Sequence, residues 1–471
     1  MTDKIDDRWI RPLPTIGRAP YPWAFIGLIA VCAVLARLVY VQLFSSPIPF
    51  WDQWDGEADR VLRPWIEGHF DLGHLLLAHN EHRIVPTKLV TIALYELTGR
   101  WSNMDEARFT AVLYGVIPAM LIWSIFADDR PRAPALVQLA LAVVVLLFAV
   151  LPFSWENMLI GFQSQFYFML ASGIGVVILA ARQHDNLLAA AAVLALSAFA
   201  CLTMASGLIT PLVAICVYTL ACIFLPGRRW PALLTMGILL VLALATYATT
   251  PQIPQHQALR PASATEFLNA VTHILSWPAS SYRWAMICLW LPTPIMLLWH
   301  LAHRQITRAD VVMAGLYGWS LAQGLAIAAG RGQGLVDVPS RYIELLVPGL
   351  FANAWFALSL LHDQHRVTLR IRVPALLVSI AFFLVLLGGL LVRTPGDLHE
   401  LRVRSAALTV QRENTLQYLR SNDPAVFDAP FFALPYPDHA RLKLVLDTPA
   451  IREALHWTQP LPAPPPPPVA E

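Results

Sequence analysis

Residues that could do chemistry are concentrated in one polar stretch, Pro47 to Arg83, which follows directly after an apolar segment. Asp52 and Asp55 lie three residues apart, each beside a tryptophan, and Glu57 follows them. If the stretch begins a helical turn, this spacing places both aspartates on one side. Two carboxylates that converge in a partly desolvated cleft suit a general base, a divalent-ion site or both. The alternative is an interfacial aromatic anchor in which Asp55 caps a helix.

A second motif in the same stretch combines two imidazoles with a cation, and it reads His79, Asn80, Glu81, His82 and Arg83. The histidines could ligate a metal such as zinc, and the possible ligands are then Asp52, Asp55, His79 and His82. The spacing is not that of His-Glu-x-x-His, whose glutamate activates water. Arg83, with Lys88 beyond it, could instead offer positive charge to a phosphate. Ordinary snorkelling of interfacial cations is the alternative.

Polar residues also fall between later apolar segments. Trp155 and Glu156 precede Gln163 and Gln165, whose amides alternate with aromatic residues. Such a mixture resembles a sugar-binding surface, in which apolar faces stack and amides bind hydroxyl groups. Hydrogen bonding between membrane helices is the alternative role for these amides.

A third polar patch lies at the mouth of a late apolar segment. Its Arg341 is a candidate clamp for a phosphate or pyrophosphate, or else a partner for Asp337 or Glu344. We therefore predict a substrate-binding set drawn from all of these stretches: Glu57, Asn80, Glu81, His82, Arg83, Lys88, Trp155, Glu156, Gln163, Gln165, Arg331, Arg341 and Tyr342.

The composition places these residues in a membrane protein. The 471-residue chain is 57% hydrophobic and only 14% charged, whereas soluble domains carry about a quarter charged residues. Its mean hydropathy is +0.55. A net charge of +2 is too balanced to indicate nucleic acid as a partner. All five cysteines lie in apolar segments, so no structural disulfide is expected.

The apolar segments predict an all-α, polytopic fold with about eleven transmembrane helices. Tyr21 to Phe44 is the first, and the basic residues before it place residues 1–20 in the cytoplasm. Residues 45–105 then form an outer loop with two juxtamembrane helices, one on the membrane surface near Ala58–Glu67 and one at Ile84–Thr98. The second reaches only ~22 Å, too short for the ~30 Å hydrocarbon core. The other spans are predicted at Ala107–Phe126, Ala133–Phe153, Phe162–Ala181, Leu187–Leu202, Leu208–Leu225, Pro231–Thr249, Arg283–His300, Val311–Ala329, Leu345–Leu361 and Val373–Val392.

Basic residues at alternate connections fix the predicted orientation. The clusters near residues 130–132, 182, 228–229, 304–308 and 366–372 are all cytoplasmic if eleven spans are counted. The polytopic domain is then residues 21–394. Residues 395–471 form a small extracytoplasmic segment, with a helix at Ala406–Arg420 and an extended proline-rich tail.

The predicted architecture resembles that of the GT-C superfamily of membrane glycosyltransferases. The shared features are an outer loop with spaced acidic residues, two juxtamembrane helices, about eleven spans and a small outer C-terminal segment. Members of the superfamily include oligosaccharyltransferases, protein O-mannosyltransferases and aminoarabinose transferases. More closely, five motifs resemble a set found together in bacterial multi-pass membrane proteins that have no established activity. These motifs are Trp51–Asp55, His79–Arg83, Trp155–Asn157 with Gly161–Gln163, Ser206–Leu208 and Leu434–Asp438.

The superfamily resemblance implies a sugar donor carried on a polyprenyl phosphate, inverting transfer, and an acidic residue of the first loop as the base. On this chain the base is then Asp52 or Asp55. Both stay open, because the superfamily spacing is acid-x-acid and the spacing here is Asp52-x-x-Asp55. A divalent metal cofactor also stays open, because members of the superfamily differ in metal dependence.

The implied activity is transfer of a sugar to an envelope glycan, lipid or protein at the outer face of a bacterial inner (plasma) membrane. The expected partners are membrane lipid, the polyprenyl-phosphate-linked donor and that acceptor. A transporter or flippase of lipid-linked sugars would instead place ionisable residues midway along its spans. A non-catalytic envelope scaffold would leave the acidic loop idle. The concentration of ionisable residues in outer loops favours the enzyme.

Overall fold

Helices form every regular element in the part of the chain that the computed structural model describes, residues 22–126, 134–362 and 369–455. The predicted cytoplasmic N-terminus, the basic residues at 130–132 and at 366, and the proline-rich tail lie outside these ranges. Eight helices are long and apolar enough to cross a membrane. They are Trp23–Phe44, Asn103–Phe126, Gly161–Arg182, Ala205–Phe224, Trp230–Ala248, Arg308–Arg331, Ser340–Leu361 and Val373–Ser421.

The remaining three predicted spans also coincide with helices. Ala135–Val150 and Leu187–Cys201 are apolar but shorter. The predicted span Arg283–His300 is divided into Ala285–Trp290 and Pro292–Ala302. The division falls at the residue before a proline, where helical backbone is disfavoured. The all-helical, multi-span fold is therefore confirmed, and the number of crossings stays a prediction.

A buried ion pair holds three of the membrane helices together. Arg37 Nη2 lies 2.5 Å from Glu344 Oε1, and both side chains are almost fully buried. The same guanidinium donates to Tyr167 Oη at 3.1 Å and to the carbonyl oxygen of Ala149 at 3.1 Å. Asn157 Nδ2 donates to the second Glu344 oxygen at 2.8 Å. A buried pair needs this degree of hydrogen bonding, since an isolated charge among apolar helices is costly.

The first loop, residues 45–105, contains the two predicted helical regions. The second is Val85–Thr98. The first runs through Trp54–Leu62, which is π-helical, and Arg63–Ile66. Its apolar face does not lie on the membrane surface as predicted, because Ala58 and Leu62 are fully buried in a cluster with residues from the C-terminal end of the chain. A short helix, Leu72–Leu76, separates the two regions.

The last membrane helix does not end where the sequence predicted. Leu369–Ser421 is one continuous helix of 53 residues, so it includes both the boundary predicted at residue 394 and the separate helix predicted at Ala406–Arg420. Beyond it, residues 422–455 form a small unit, here called the C-terminal cap. The cap contains the short helices Pro424–Asp428, Phe431–Ala433, His439–Leu446 and Pro449–Ala454.

The C-terminal cap and the first loop share one hydrophobic core. Trp54, Leu62 and Trp101 of the loop are buried in the same cluster as Leu434 and Leu442 of the cap. Two units that share a core lie on the same side of the membrane. The shared core therefore favours the predicted orientation, in which the loop and the cap both lie on the outer side, and the number of crossings stays a prediction.

This topology can be checked with reporters. Alkaline phosphatase fused after Glu471 should be active outside the cytoplasm, because the cap must lie beside the first loop. A green fluorescent protein fused after Arg229, in a connection predicted to be cytoplasmic, should fluoresce. Fluorescence from a C-terminal fusion, together with an inactive phosphatase at that position, would contradict the shared orientation of loop and cap.

Candidate functional site

A fixed turn at the start of the first loop orients Asp52. Trp51 has φ 47°, a left-handed conformation that a residue with a bulky side chain rarely adopts. Its backbone N–H donates to the carbonyl oxygen of Pro435 in the C-terminal cap at 2.8 Å. The Phe50 N–H donates to Gln53 Oε1 at 2.9 Å. The cap therefore helps to hold the turn that precedes the loop helix.

Asp52 is an accessible carboxylate beside a buried imidazole. Its Oδ1 lies 3.5 Å from His79 Nε2, and its side chain is 56% exposed while that of His79 is 6% exposed. Desolvation raises the pKa of Asp52, but a hydrogen bond from His79 and the charges of His79 and Arg341 outweigh it, so the pKa is lowered. Asp52 is thus ionised near neutral pH and can accept a proton.

Asp55 binds the C-terminal cap. Arg441 Nε lies 3.0 Å from Asp55 Oδ1, and Arg441 Nη2 lies 2.6 Å from Asp59 Oδ2. The Tyr436 hydroxyl donates to the other oxygen of Asp55. Asp52 stands just before the helix that begins at Trp54, and its carbonyl oxygen accepts from the backbone N–H of Gly56 at 2.7 Å. The two carboxylates that the sequence placed together therefore have different partners, His79 for Asp52 and Arg441 for Asp55.

Glu57 and Glu106 form a buried pair of carboxyl groups. Gln53 Nε2 donates to Glu57 Oε2 at 3.0 Å and to Glu106 Oε2 at 2.7 Å. Trp101 Nε1 donates to the same Glu57 oxygen at 3.1 Å. Burial raises the pKa of Glu57 to about 7, although these hydrogen bonds lower it. Glu57 was predicted to bind substrate, but its side chain is fully buried and hydrogen-bonded to Gln53 and Trp101.

The second motif forms a tight turn that packs against the membrane helices. His79 and His82 exchange backbone hydrogen bonds of 2.7 and 2.9 Å, and Asn80 takes the left-handed conformation between them, with φ 51°. His82 Nδ1 accepts from the backbone N–H of Ala205 at 3.1 Å. Burial lowers the pKa of His82 to about 4, so the ring is neutral.

The two cations predicted beside this turn bind backbone carbonyl groups. Arg83 Nη2 donates to the carbonyl oxygen of Thr249 at 3.1 Å. Lys88 Nζ donates to three carbonyl oxygens at the end of the helix Leu72–Leu76, at 2.8, 3.0 and 2.6 Å. These contacts fix the loop against the bundle. The predicted contact of both cations with a phosphate has no support from this geometry.

The possible metal ligands are not brought together as a set. Asp52 and His79 converge, but Asp55 faces Arg441 and His82 accepts from Ala205. Within residues 22–126, 134–362 and 369–455, no group of three or more histidine, cysteine, aspartate or glutamate side chains is arranged to hold a metal ion.

A cavity of about 620 Å³, here called the outer cavity, is lined by Trp51, the residue that precedes Asp52. Trp51, Trp155, Glu156 and Arg341 line it, together with residues of the last helix. Arg341 Nη1 donates to Glu156 Oε1 at 2.8 Å, and the backbone N–H of Arg341 donates to Glu156 Oε2 at 3.2 Å. Three predicted site residues, Trp155, Glu156 and Arg341, thus meet at a single wall near the predicted base.

A second cavity of about 460 Å³, here called the membrane-side cavity, lies between the second motif and the membrane helices. Glu81, His82, Arg331 and Tyr342 line it, with His256 and Arg260 and with apolar side chains of the spans. Glu81 Oε1 lies 2.5 Å from His256 Nδ1. Arg331 Nη2 lies 3.4 Å from the same nitrogen, and Arg331 Nη1 is buried with no hydrogen-bond partner among the described residues.

The predicted amide surface lies elsewhere. Gln165 is 4% exposed, inside the bundle, and the side-chain oxygens of both Gln163 and Gln165 are buried. Neither residue lines the outer or the membrane-side cavity. The alternative role between helices fits these positions better than a sugar-binding surface.

Several residues of the site were missed by sequence reasoning. Arg37 carried a signal, because an arginine within an apolar span indicates a buried partner. Gln53 lies inside the motif Trp51–Asp55, but its position in the sequence indicated no particular role. Arg404, Gln411 and Arg441 lie in polar sequence far from the first loop, and their pattern gives no indication that they fold back onto it.

Comparison with known proteins leaves function to be argued from these residues. No family model matches the chain, and no curated protein matches it significantly. Among solved structures, the chain is similar to the crystal structure of ArnT from Cupriavidus metallidurans in the apo state, with 15% sequence identity and a TM-score of 0.43. The match covers 92% of this chain and 76% of that chain. A likeness of this size carries no argument about activity.

The buried carboxyl pair predicts a pH-dependent stability. Because the folded-state pKa of Glu57 is raised to about 7, its contribution is fully present below about pH 4.5 and is lost as the pH rises through 7, up to about 3 kcal/mol. The melting temperature of the wild-type protein should therefore fall between pH 5 and 8, and that of Glu57→Gln should fall less. Glu413→Gln, at an exposed position of the last helix, is the control, and parallel pH profiles for all three proteins would refute the buried pair.

The contact between loop and cap predicts an energetic coupling. Arg441→Ala leaves Asp55 and Asp59 without their cation and should accelerate protease cleavage within the cap, while Arg420→Ala, on an exposed position, should not. In a double-mutant cycle, Asp55→Asn and Arg441→Ala should show a coupling of about 1 kcal/mol. Additive effects of the two changes would show that the ion pair does not hold the cap.

Proposed function

We propose that this chain is a GT-C-type glycosyltransferase that moves a sugar from a polyprenyl-phosphate donor to a cell-envelope acceptor on the outer side of a bacterial inner membrane. The observation that carries the proposal is the position of Asp52. It is the accessible carboxylate of the motif, and its pKa is lowered by His79 and by the charge of Arg341. Its neighbour Trp51 and Arg341 both line a cavity large enough for a small-molecule substrate.

Asp52 is the proposed general base. In a single displacement, an acceptor hydroxyl oxygen attacks the anomeric carbon of the donor sugar, and its proton passes to Asp52 Oδ1 or Oδ2. The bond between the anomeric carbon and the phosphate oxygen breaks, and the polyprenyl phosphate leaves with the electron pair. His79 orients the carboxylate, and positioned acid–base groups of this kind contribute about 10²- to 10⁴-fold to the rate.

The phosphate is best placed in the membrane-side cavity. Its walls are apolar on the side of the spans, as an isoprenoid chain requires, and Arg331 and Arg260 supply positive charge. Arg331 Nη1 has no partner among the described residues, whereas Arg341 already binds Glu156 through two contacts. We therefore assign the phosphate contact to Arg331, and Arg341 to the wall of the outer cavity. Charge on the leaving phosphate grows as the bond breaks, so a fixed guanidinium favours the transition state.

The transporter alternative has one feature in its favour, an ionisable pair within the spans. Arg37 and Glu344 are, however, tied to Tyr167, Ala149 and Asn157. A pair held by this many fixed partners stabilises one packing of the helices. This favours a structural role for the pair and leaves the enzyme as the better proposal.

Substitutions can distinguish the proposed base from carboxylates that only stabilise the structure. Asp52→Asn should lower transfer by about 10²-fold or more with an unchanged melting temperature, because it removes a proton acceptor at constant volume. Asp71→Asn, at an exposed position of the same loop, should transfer normally. The assay uses purified protein in nanodiscs with a panel of polyprenyl-phosphate hexoses and envelope extracts. A normal rate for Asp52→Asn would remove the proposed base.

The phosphate contact can be tested by donor binding. Arg331→Ala should weaken binding of polyprenyl phosphate by about tenfold or more, as expected for loss of a hydrogen bond to a charged group. Arg331→Lys should retain part of the affinity, and the exposed Arg283→Ala should retain all of it. If Arg341→Ala weakens binding and Arg331→Ala does not, the phosphate lies in the outer cavity instead.

A further inference from the structure

The charged groups of the outer cavity neutralise one another. Each arginine that lines it has a carboxylate within 4.0 Å, the limit for an ion pair. The pairs are Arg341 with Glu156 at 2.8 Å, Arg404 with Glu400 at 3.3 Å, and Arg393 with Asp337 at 3.6 Å. Because the pairs are complete, an anionic ligand would have to compete with a protein carboxylate for every guanidinium.

The two cavities therefore differ in the ligand charge that they favour. The membrane-side cavity has two arginines and two histidines but a single carboxylate, that of Glu81. The outer cavity has equal numbers of cations and carboxylates among its lining residues. A phosphate therefore fits the membrane-side cavity, and an uncharged polar ligand fits the outer cavity.

Aromatic faces and polar planar groups alternate around the outer cavity. Trp51 is stacked on Phe50 with 5.6 Å between ring centroids and remains 38% exposed. Phe432 of the C-terminal cap is 58% exposed. Ser340 and Gln411 add a hydroxyl and an amide to the lining. A sugar ring has apolar C–H faces and hydroxyl edges, so it can stack on the rings while its hydroxyls bind the carboxylates and amides.

The walls of this cavity also indicate the side from which its ligand arrives. They come from the first loop, from residues 153–156 and 337–343, from residues 393–411 of the last helix, and from Phe432 of the cap. By contrast, the wall of the membrane-side cavity includes apolar residues of the spans, such as Leu208 and Ile327. The ligand of the outer cavity thus comes from water rather than from the lipid.

We propose that the outer cavity binds an uncharged saccharide and that this saccharide, within the proposed function, is the acceptor of transfer. The acceptor is then the end of an envelope glycan or a soluble neutral sugar, and not a phosphorylated lipid or an acidic polysaccharide. Its hydroxyl reaches Asp52 past Trp51, while the donor phosphate stays on the other side of the Arg341–Tyr342 wall.

Binding can be measured without any donor, so this test is independent of transfer. The probes are methyl glycosides of glucose, mannose and N-acetylglucosamine and their neutral disaccharides, added to the full-length protein in nanodiscs. Saturation-transfer NMR and tryptophan fluorescence should report saturable binding of at least one neutral probe. Phe432→Ala should weaken it about fivefold, as expected for a lost stacking contact. Phe431→Ala, which changes the exposed neighbouring ring, should change it less than about twofold.

A change of charge gives the sharper test. Glu400→Gln leaves Arg404 without its carboxylate and should strengthen binding of glucose 6-phosphate or mannose 6-phosphate by about tenfold. Glu413→Gln, at an exposed position of the same helix, should have no effect. Melting temperatures of all variants establish that they are folded.

Three results would overturn the inference. They are tighter binding of the hexose 6-phosphates than of the neutral glycosides by the wild-type protein, no saturable signal from any neutral probe, and equal effects of Phe431→Ala and Phe432→Ala. None of these concerns Asp52, so the proposed reaction is judged separately by the transfer rate of Asp52→Asn.

Discussion

The docking of the C-terminal cap on the first loop is the contact on which the site depends. Arg441 binds both Asp55 and Asp59, and the Pro435 carbonyl accepts from the Trp51 N–H. Both contacts surround the turn that carries Asp52. The shared hydrophobic core holds the two units together, and the polar contacts fix their register. The proposed base is therefore positioned by residues almost four hundred positions away in the sequence.

Charge pairing explains why one carboxylate of the motif differs from the rest. Asp55 is paired with Arg441, and Glu57 shares hydrogen bonds with Gln53 and Glu106. Asp52 alone among these three acids is more than half exposed in the described structure, and its partner is an imidazole. Because unpaired charges are costly in apolar surroundings, the exposure of Asp52 fits its proposed role as the base.

The sequence predicted the helical class and most helix positions, because apolar length is a local signal, and its clustered polar residues indicated a candidate site in the first loop. It did not predict that Asp52 lies beside His79 while Asp55 binds Arg441. The spacing places both aspartates in one helical turn but does not specify their partners. The apolar face of Ala58 and Leu62 was assigned to the membrane surface because its periodicity says only that the face is buried. Its true partner, the C-terminal cap, is a long-range contact that periodicity does not specify.

The most direct test of the central claim is chemical rescue of the missing base. Asp52→Ala leaves room for a small carboxylate next to His79, and formate can then accept the proton of the acceptor hydroxyl. The transfer rate of Asp52→Ala should be very low without formate. Formate should raise this rate at least about tenfold, in proportion to its concentration, which is within the range expected for a positioned base. Asp55→Ala, whose carboxylate binds the cap, should show no rescue. Rescue of Asp55→Ala but not of Asp52→Ala would contradict the assignment of Asp52 as the base.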